Sequence, residues 1–230
     1  MEHLPSFPAL VAKLETHYGK PSSRKASDPL TLIIHENIAY LATDDKRDAA
    51  FKALQKEIGL KPTDILAAPI EDLIKVARLG GIHAELRAAR LKEIAHIVLN
   101  DFAGDLTSVL KLTLRRAKKA LQKFPSIGAP GAEKILLFTG TYPLLALESN
   151  GLRVLLRLGF GEERKNYSAT YASVQAALQD QLGKDCDFLI RAHQLLRRHG
   201  KELCRIKNPA CEICPIRSSC SYYHTQLPRL

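Results

Sequence analysis

Four cysteines, Cys204, Cys211, Cys214 and Cys220, stand in the pattern C-x6-C-x2-C-x5-C. Sulfurs this closely spaced are first of all a metal site. The two-residue gap of Cys211-Glu212-Ile213-Cys214 lets one tight turn aim two thiolates at a common centre. Thiolate-only sets suit Zn²⁺ or an iron–sulfur cluster. Zinc modules usually pair two short gaps, and here only one is short. Four unequally spaced sulfurs can reach the corners of a [4Fe–4S] cube, so the spacing favours a cluster and leaves zinc as the alternative. Cys186 stands apart and reads as a buried structural thiol.

Two glutamates form the second chemical signal. The segment Leu32–Leu41 is apolar at most positions, yet it holds His35, Glu36, Asn37 and Tyr40 together. Buried polar groups are costly unless paired or used, so this cluster is either a hydrogen-bond network of the core or part of a pocket. Glu148 precedes Ser149-Asn150-Gly151 at the start of a helical pattern, where a carboxylate either caps the helix or faces a site. A third signal is the run from Leu114 to Thr139, two amphipathic segments around Phe124-Pro125-Ser126-Ile127-Gly128-Ala129-Pro130-Gly131. Its short turn would present free main-chain N–H groups at a helix N-terminus, which is an anion site. Arg115, Arg116, Lys118, Lys119 and Lys123 add positive charge nearby.

The elements that must hold these groups are helical nearly throughout. Apolar residues recur at helix spacing over about 45–58, 70–79, 84–102, 113–123, 130–139, 150–159, 168–182 and 186–199. A shorter helix follows Ser6 and ends at Gly19, and Asp28-Pro29 opens another. Residues 19–28 read as a polar linker. No segment alternates at period two, so the fold class is all-α with a cysteine-rich C-terminal loop. The 230 residues allow one large or two small domains. No apolar run is long enough for a membrane span. Without an export pattern in the first twenty residues, reduced cysteines imply a cytoplasmic protein. The net charge of +10 favours a polyanion, nucleic acid ahead of an acidic membrane.

Three motifs in register resemble the helix-hairpin-helix DNA glycosylases of the endonuclease III and MutY branch. Phe124–Gly128 is similar to that family's "LPGVG" turn, Leu147–Val154 to its catalytic-aspartate segment, and the four cysteines to its [4Fe–4S] loop, led in by His199-Gly200-Lys201-Glu202-Leu203-Cys204. The resemblance implies a two-domain fold: a six-helix barrel over about 24–142, with the hairpin at about 113–139, and a helical iron–sulfur cluster domain from 1–23 and 143–230. It implies a monomer that binds double-stranded DNA containing a damaged or mismatched base and flips the nucleotide out. Pro125, Ser126, Ile127, Gly128, Ala129 and Gly131 would grip the backbone, joined by Arg153, Arg205 and Lys207. Ile82 would fill the gap in the duplex. His35, Asn37, Tyr40, Leu41, His83 and Asn150 would stand around the base.

Two departures from the family pattern decide the expected chemistry. Pro130 occupies the position of the family's Schiff-base lysine and offers no nucleophile. Glu148 occupies that of the catalytic aspartate, and Glu36 that of the MutY-type glutamate that protonates the departing base. In a pocket the carboxyl of Glu36 is expected to shift upward and stay partly protonated. The expectation is a monofunctional glycosylase in which Glu148 and Glu36 are catalytic. The alternatives are a bifunctional glycosylase/lyase using another lysine such as Lys134, and a non-catalytic binder of DNA structures.

Overall fold

The computed structural model describes residues 5–22, 26 and 28–226, and every regular element among them is helical. Part of the expected polar linker, residues 23–25 and 27, lies outside the described residues. The chain divides into two compact units, one formed by Ala26–Thr139 and the other by the segments on either side of it.

In the central unit, α2 (Pro29–Asn37) starts where Asp28 accepts hydrogen bonds from the N–H groups of Leu30 and Thr31. It ends earlier than the apolar run predicts. Tyr40 and Leu41 lie beyond it, with Leu41 at φ 48°. Here the main chain pairs with a distant loop instead of continuing the helix: Tyr40 N–H donates to Gly80 O at 3.0 Å, and Tyr40 and Gly81 form an isolated parallel bridge. The close approach needs glycine. A Cβ at Gly80 would run into the carbonyl of Ile38, and one at Gly81 into that of Tyr40.

Five further helices complete this unit before the hairpin closes it: α3 (Asp44–Glu57), α4 (Pro62–Ala67), α5 (Ile70–Arg78), α6 (Ala84–Phe102) and α7 (Leu114–Leu121). The short α4 has no amphipathic repeat to reveal it, though Pro62 sits at its first position. The last helix, α8 (Ala129–Phe138), packs against α7 and α2. Ile33, Ile34, Leu73, Leu91, Ile94, Leu121, Ile135 and Leu136 fill the core.

The second unit contains α1 (Phe7–Tyr18), α9 (Ser149–Leu158), α10 (Tyr167–Leu178), α11 (Cys186–Glu202) and α12 (Ser221–Gln226). Helix α11 packs along α9 and against α1. Gly200 is required at the first of these contacts, since a Cβ there would meet the Asn150 carbonyl at 2.6 Å. The cysteine segment between α11 and α12 is built from tight turns and two short 3₁₀ turns, Cys211–Ile213 and Arg217–Ser219. Cys186 opens α11 half-buried, not in the core as its spacing apart from the other cysteines suggested. Among the described residues no helix is long and apolar enough to cross a membrane.

Candidate active site

Glu36 sits in the last turns of α2, beside a cavity with about 790 Å³ of empty space, partly open to solvent. Asn37, Tyr40, His83, Arg90 and Ser126 line the same cavity. Lys134 Nζ, on α8, lies 2.6 Å from Glu36 Oε1. This pair corrects the expected protonation. Burial alone pushes the Glu36 carboxyl up, but the charge and hydrogen bond of Lys134, aided by Arg47 and His35, outweigh it and the net shift is downward. Glu36 is therefore a carboxylate near neutral pH, not a stored proton.

Its neighbours divide between two faces. Asn37 is 2% exposed and donates from one amide nitrogen to Ile33 O and Pro125 O, both at 3.0 Å, which ties α2 to the hairpin turn. His35 turns the other way: its Nε2 is 3.2 Å from Asp48 Oδ1, and its ring meets Phe51 edge-on. Tyr40 and His83 stand at the cavity with ring centroids 5.8 Å apart. Leu41 and Ile82 are 77% and 49% exposed, in the loops joined by the Tyr40–Gly81 bridge.

Arg87 is the residue that sequence reasoning missed. It is 1% exposed, yet its guanidinium binds main-chain carbonyls: Ala77 and Gly81 at 2.6 Å, Ile82 at 2.9 Å, and Ile38 in a short contact. A buried cation with no carboxylate hydrogen-bonded to it among the described residues is tolerated here because the carbonyls satisfy its donors. It fixes the end of α2 and the Gly80–Ile82 loop together. Only its place in the apolar register of α6 could have flagged it.

In the hairpin, α8 begins after Gly128 with no side-chain cap and with Pro130 in its first turn. Ser126 bends the turn at φ 61°. Gly128 and Ser126 are exposed and Pro125, Ala129 and Gly131 half-buried, while the Ile127 side chain is buried and anchors the turn. Lys118 bonds the buried Glu133 and so braces α7 to α8.

In the second unit, Glu148 is the N-cap of α9. Its Oε1 accepts from Gly151 N–H and its Oε2 from the Asn150 amide, each at 2.7 Å. The capping reading thus describes its geometry, and the cap leaves a fixed, half-buried carboxylate. Asn150 Oδ1 accepts from Arg153, whose guanidinium also reaches Gly200 O and Cys204 O at 2.8 and 2.9 Å. Arg153, expected on phosphate, thus joins Glu148 to the cysteine segment through internal bonds. Arg205 and Lys207 are exposed on that segment.

Cys204, Cys211, Cys214 and Cys220 all line one cavity, with about 370 Å³ of empty space, floored by Val154, Leu158 and Leu203. Among the described residues no three or more His, Cys, Asp or Glu side chains gather as a preformed ion site. The donor set fits a metal group in its chemistry. Burial first, then the charge of neighbouring cysteines, pushes the thiols of Cys211 and Cys220 up and that of Cys214 up to about 11. Thiols held up in this way, those of Cys211, Cys214 and Cys220, become thiolates most readily against a cationic centre. Arg157 Nη1 is 3.3 Å from Cys204 Sγ, and His199 Nε2 is 3.6 Å from Cys214 Sγ. Burial, with His17 nearby, holds His199 down to about 4.

No protein-family model matches the chain. It is 32% identical to the endonuclease III of Rickettsia prowazekii over 84% of its length and 83% of the relative's. It is 26% identical to a thymine/uracil-DNA glycosylase of Methanothermobacter thermautotrophicus over 87% and 85%. Its fold matches the protein of a non-covalent endonuclease III–DNA complex with a TM-score of 0.73, covering 95% of each chain at 20% identity. At the identity and coverage of the Rickettsia prowazekii relative, the chain belongs to the endonuclease III-like branch of the helix-hairpin-helix DNA glycosylase superfamily.

Proposed function

We propose that this DNA glycosylase is monofunctional: it hydrolyses the N-glycosidic bond of a damaged or mispaired base flipped out of duplex DNA, and leaves an abasic site. The carrying observation is the pair of positions from which an amine could act. Pro130 stands in the first turn of α8, and Lys134, one turn on, has its Nζ engaged by Glu36 at 2.6 Å. No nucleophile is left where the family's Schiff-base lysine would be.

Cleavage of the bond builds positive charge on the deoxyribose, as in glycoside hydrolysis. Glu148 is a fixed carboxylate whose helix cap holds it in one orientation, suited to stabilising that charge or orienting the attacking water. Glu36, ionised beside its cavity, accepts a hydrogen bond from the base and is not the proton donor. Tyr40, Asn37 and His83 line that cavity as walls for the base. The exposed Leu41 and Ile82 suit the space a flipped nucleotide leaves. Main-chain N–H groups at the uncapped start of α8, together with Arg205 and Lys207, suit phosphates. Cys204, Cys211, Cys214 and Cys220 hold a [4Fe–4S] cluster in this reading. When bound, that group would offset part of the charge of the four thiolates and would stiffen the segment that carries Arg205 and Lys207. A reducing cytoplasm keeps the thiols available, and the protein works as a monomer.

The closeness of Lys134 to Glu36 favours one other reading, a lyase step in which Glu36 takes the ammonium proton and Lys134 attacks the sugar. An oligonucleotide panel of lesions and mismatches separates the two. Strands cut only after alkali support hydrolysis alone. Spontaneous cutting, with a borohydride-trapped adduct lost in Lys134→Ala, overturns it.

A further inference from the structure

Helix α1 comes from the opposite end of the chain to the cysteines, yet its last residue reaches them through one side chain. Tyr18 Oη is 3.0 Å from His199 Nδ1, and His199 Nε2 is 3.6 Å from Cys214 Sγ. His199 is 1% exposed, and no carboxylate is hydrogen-bonded to it among the described residues. Three contacts to α11 fix Tyr18 and the end of α1. The Arg198 guanidinium lies 4.7 Å from its ring centroid, Arg198 Nη1 donates to Tyr18 O at 3.2 Å, and the Glu15–Arg191 pair at 3.0 Å joins α1 to α11 one turn earlier.

One tautomer of His199 lets this chain of contacts end in a donor to sulfur. A neutral imidazole carries one N–H and one lone pair. With the phenol of Tyr18 as the donor, Nδ1 is the acceptor. The single N–H then sits on Nε2, which faces the sulfur. We propose that Tyr18 and His199 are positioning residues for the metal group of the four cysteines: Tyr18 locks the imidazole in the tautomer that donates Nε2–H to Cys214 Sγ. The inference rests on the reading that these cysteines hold a metal. A hydrogen bond to a ligating thiolate offsets its negative charge and disfavours its protonation and escape. Cys214 is the second sulfur of the Cys-x2-Cys turn, so its escape would open the tightest part of the set. The N-terminal helix thereby stabilises a centre nearly two hundred residues away in sequence.

The metal content of the purified wild-type protein comes first, as iron, acid-labile sulfide and zinc. Protein without metal overturns the cysteine reading itself, before any variant is compared. Metal release to excess chelator is then followed in wild type, Tyr18→Phe, His199→Leu and His199→Gln, and this readout serves iron and zinc alike. Tyr18→Phe keeps the ring but frees the imidazole to take the other tautomer, and should release metal about ten-fold faster. His199→Leu should be faster still. His199→Gln should stay near wild type, because its carboxamide can accept from Tyr18 and donate to sulfur at once. With iron–sulfur protein, the reduction potential should fall in Tyr18→Phe, since a lost donor favours the oxidised state. A Tyr18→Phe protein that releases metal at the wild-type rate, or a His199→Gln protein that behaves as His199→Leu, overturns the proposal.

Discussion

Each unit of this molecule presents one candidate catalytic glutamate, and each braces the surrounding loops with arginines on main-chain carbonyls. In the central unit the pair is Glu36 and Arg87, and in the other it is Glu148 with Arg153 and Arg157. The carboxylates are held by opposite means. Glu36 is bound by a full charge, the Lys134 ammonium, whereas Glu148 is bound by a helix-start N–H and a neutral amide. A charged partner compensates the carboxylate and takes up part of its reach. Dipolar partners fix its position and leave its negative charge to act on something else. The same residue type is therefore set up as a counter-ion in one place and as an electrostatic stabiliser in the other.

The braces give the sharpest way to break the parallel. Arg87 is buried and holds the carbonyls of Ile38, Gly81 and Ile82 as well as that of Ala77, which also accepts from Gly80 N–H, so Arg87→Met should leave several of them short of a donor and cost about 3–5 kcal/mol of stability. Arg157 is half-buried, with bonds to Arg205 O and Ile206 O near the surface, so water can replace it. Arg157→Met should cost no more than about 1–1.5 kcal/mol before any effect on metal retention. Urea titrations of both variants decide the matter, and equal losses would remove the distinction.

The acids come next. Glu148→Gln keeps an oxygen for the Gly151 N–H but removes the charge, and should lower glycosylase turnover by about 10²–10³-fold with little change in melting. Single-turnover kinetics on a substrate found in the lesion panel would show it. Glu36→Gln should cost roughly ten-fold or less, because the wild-type carboxylate is already compensated by Lys134. A larger loss at Glu36 than at Glu148 would reverse the assignment of roles.

The pH dependence follows from the direction of the Glu36 shift. Its folded-state value lies below the ordinary carboxylate range, so the unfolded chain binds this proton more readily than the native one. The contribution of the pair is fully present above the unfolded value and is lost as pH falls through the folded one. Wild type should therefore lose stability on acidification below about pH 4.5, the ordinary glutamate range, more steeply than Glu36→Gln. Denaturation midpoints measured from pH 7 downward would reveal this. A glutamate acting as a stored acid would show the opposite sign, with stability gained on acidification.

What the sequence disclosed and what it hid divide by distance along the chain. Helix starts at Asp28-Pro29, the hairpin turn and the cysteine spacing are local patterns, and the folded chain carries all three. The Glu148 cap is local too, three residues from its acceptor bond to Gly151. The hidden features pair residues far apart: Glu36 with Lys134, Arg87 with the end of α2, Tyr18 with His199. Periodicity shows that a position faces inward, not which polar group it will meet there. The upward shift expected for Glu36 failed for that reason: burial was legible, and its cation, 98 residues away, was not. His35 shows the same limit at shorter range, since adjacency to Glu36 placed it at the cavity while Asp48 and Phe51 draw it to α3.

The smallest effect belongs to the hairpin, where the central unit carries backbone strain on an exposed turn. Ser126 holds φ 61°, a left-handed conformation that costs an L-residue roughly 1–2 kcal/mol and glycine far less. Ser126→Gly relieves that strain but also loosens the unfolded chain, which subtracts up to about 1 kcal/mol from the gain. The net effect should be a slight stabilisation, within about 1 kcal/mol, in thermal melting. The Ser126 side chain lines the cavity beside Glu36, so the variant also tests whether the hydroxyl or only the turn is used. Unchanged turnover with a raised melting point assigns the turn a purely geometric task. Turnover that falls while stability rises makes Ser126 part of the base-facing wall, and the central unit then resembles the other one in holding its reactive group next to a fixed polar neighbour.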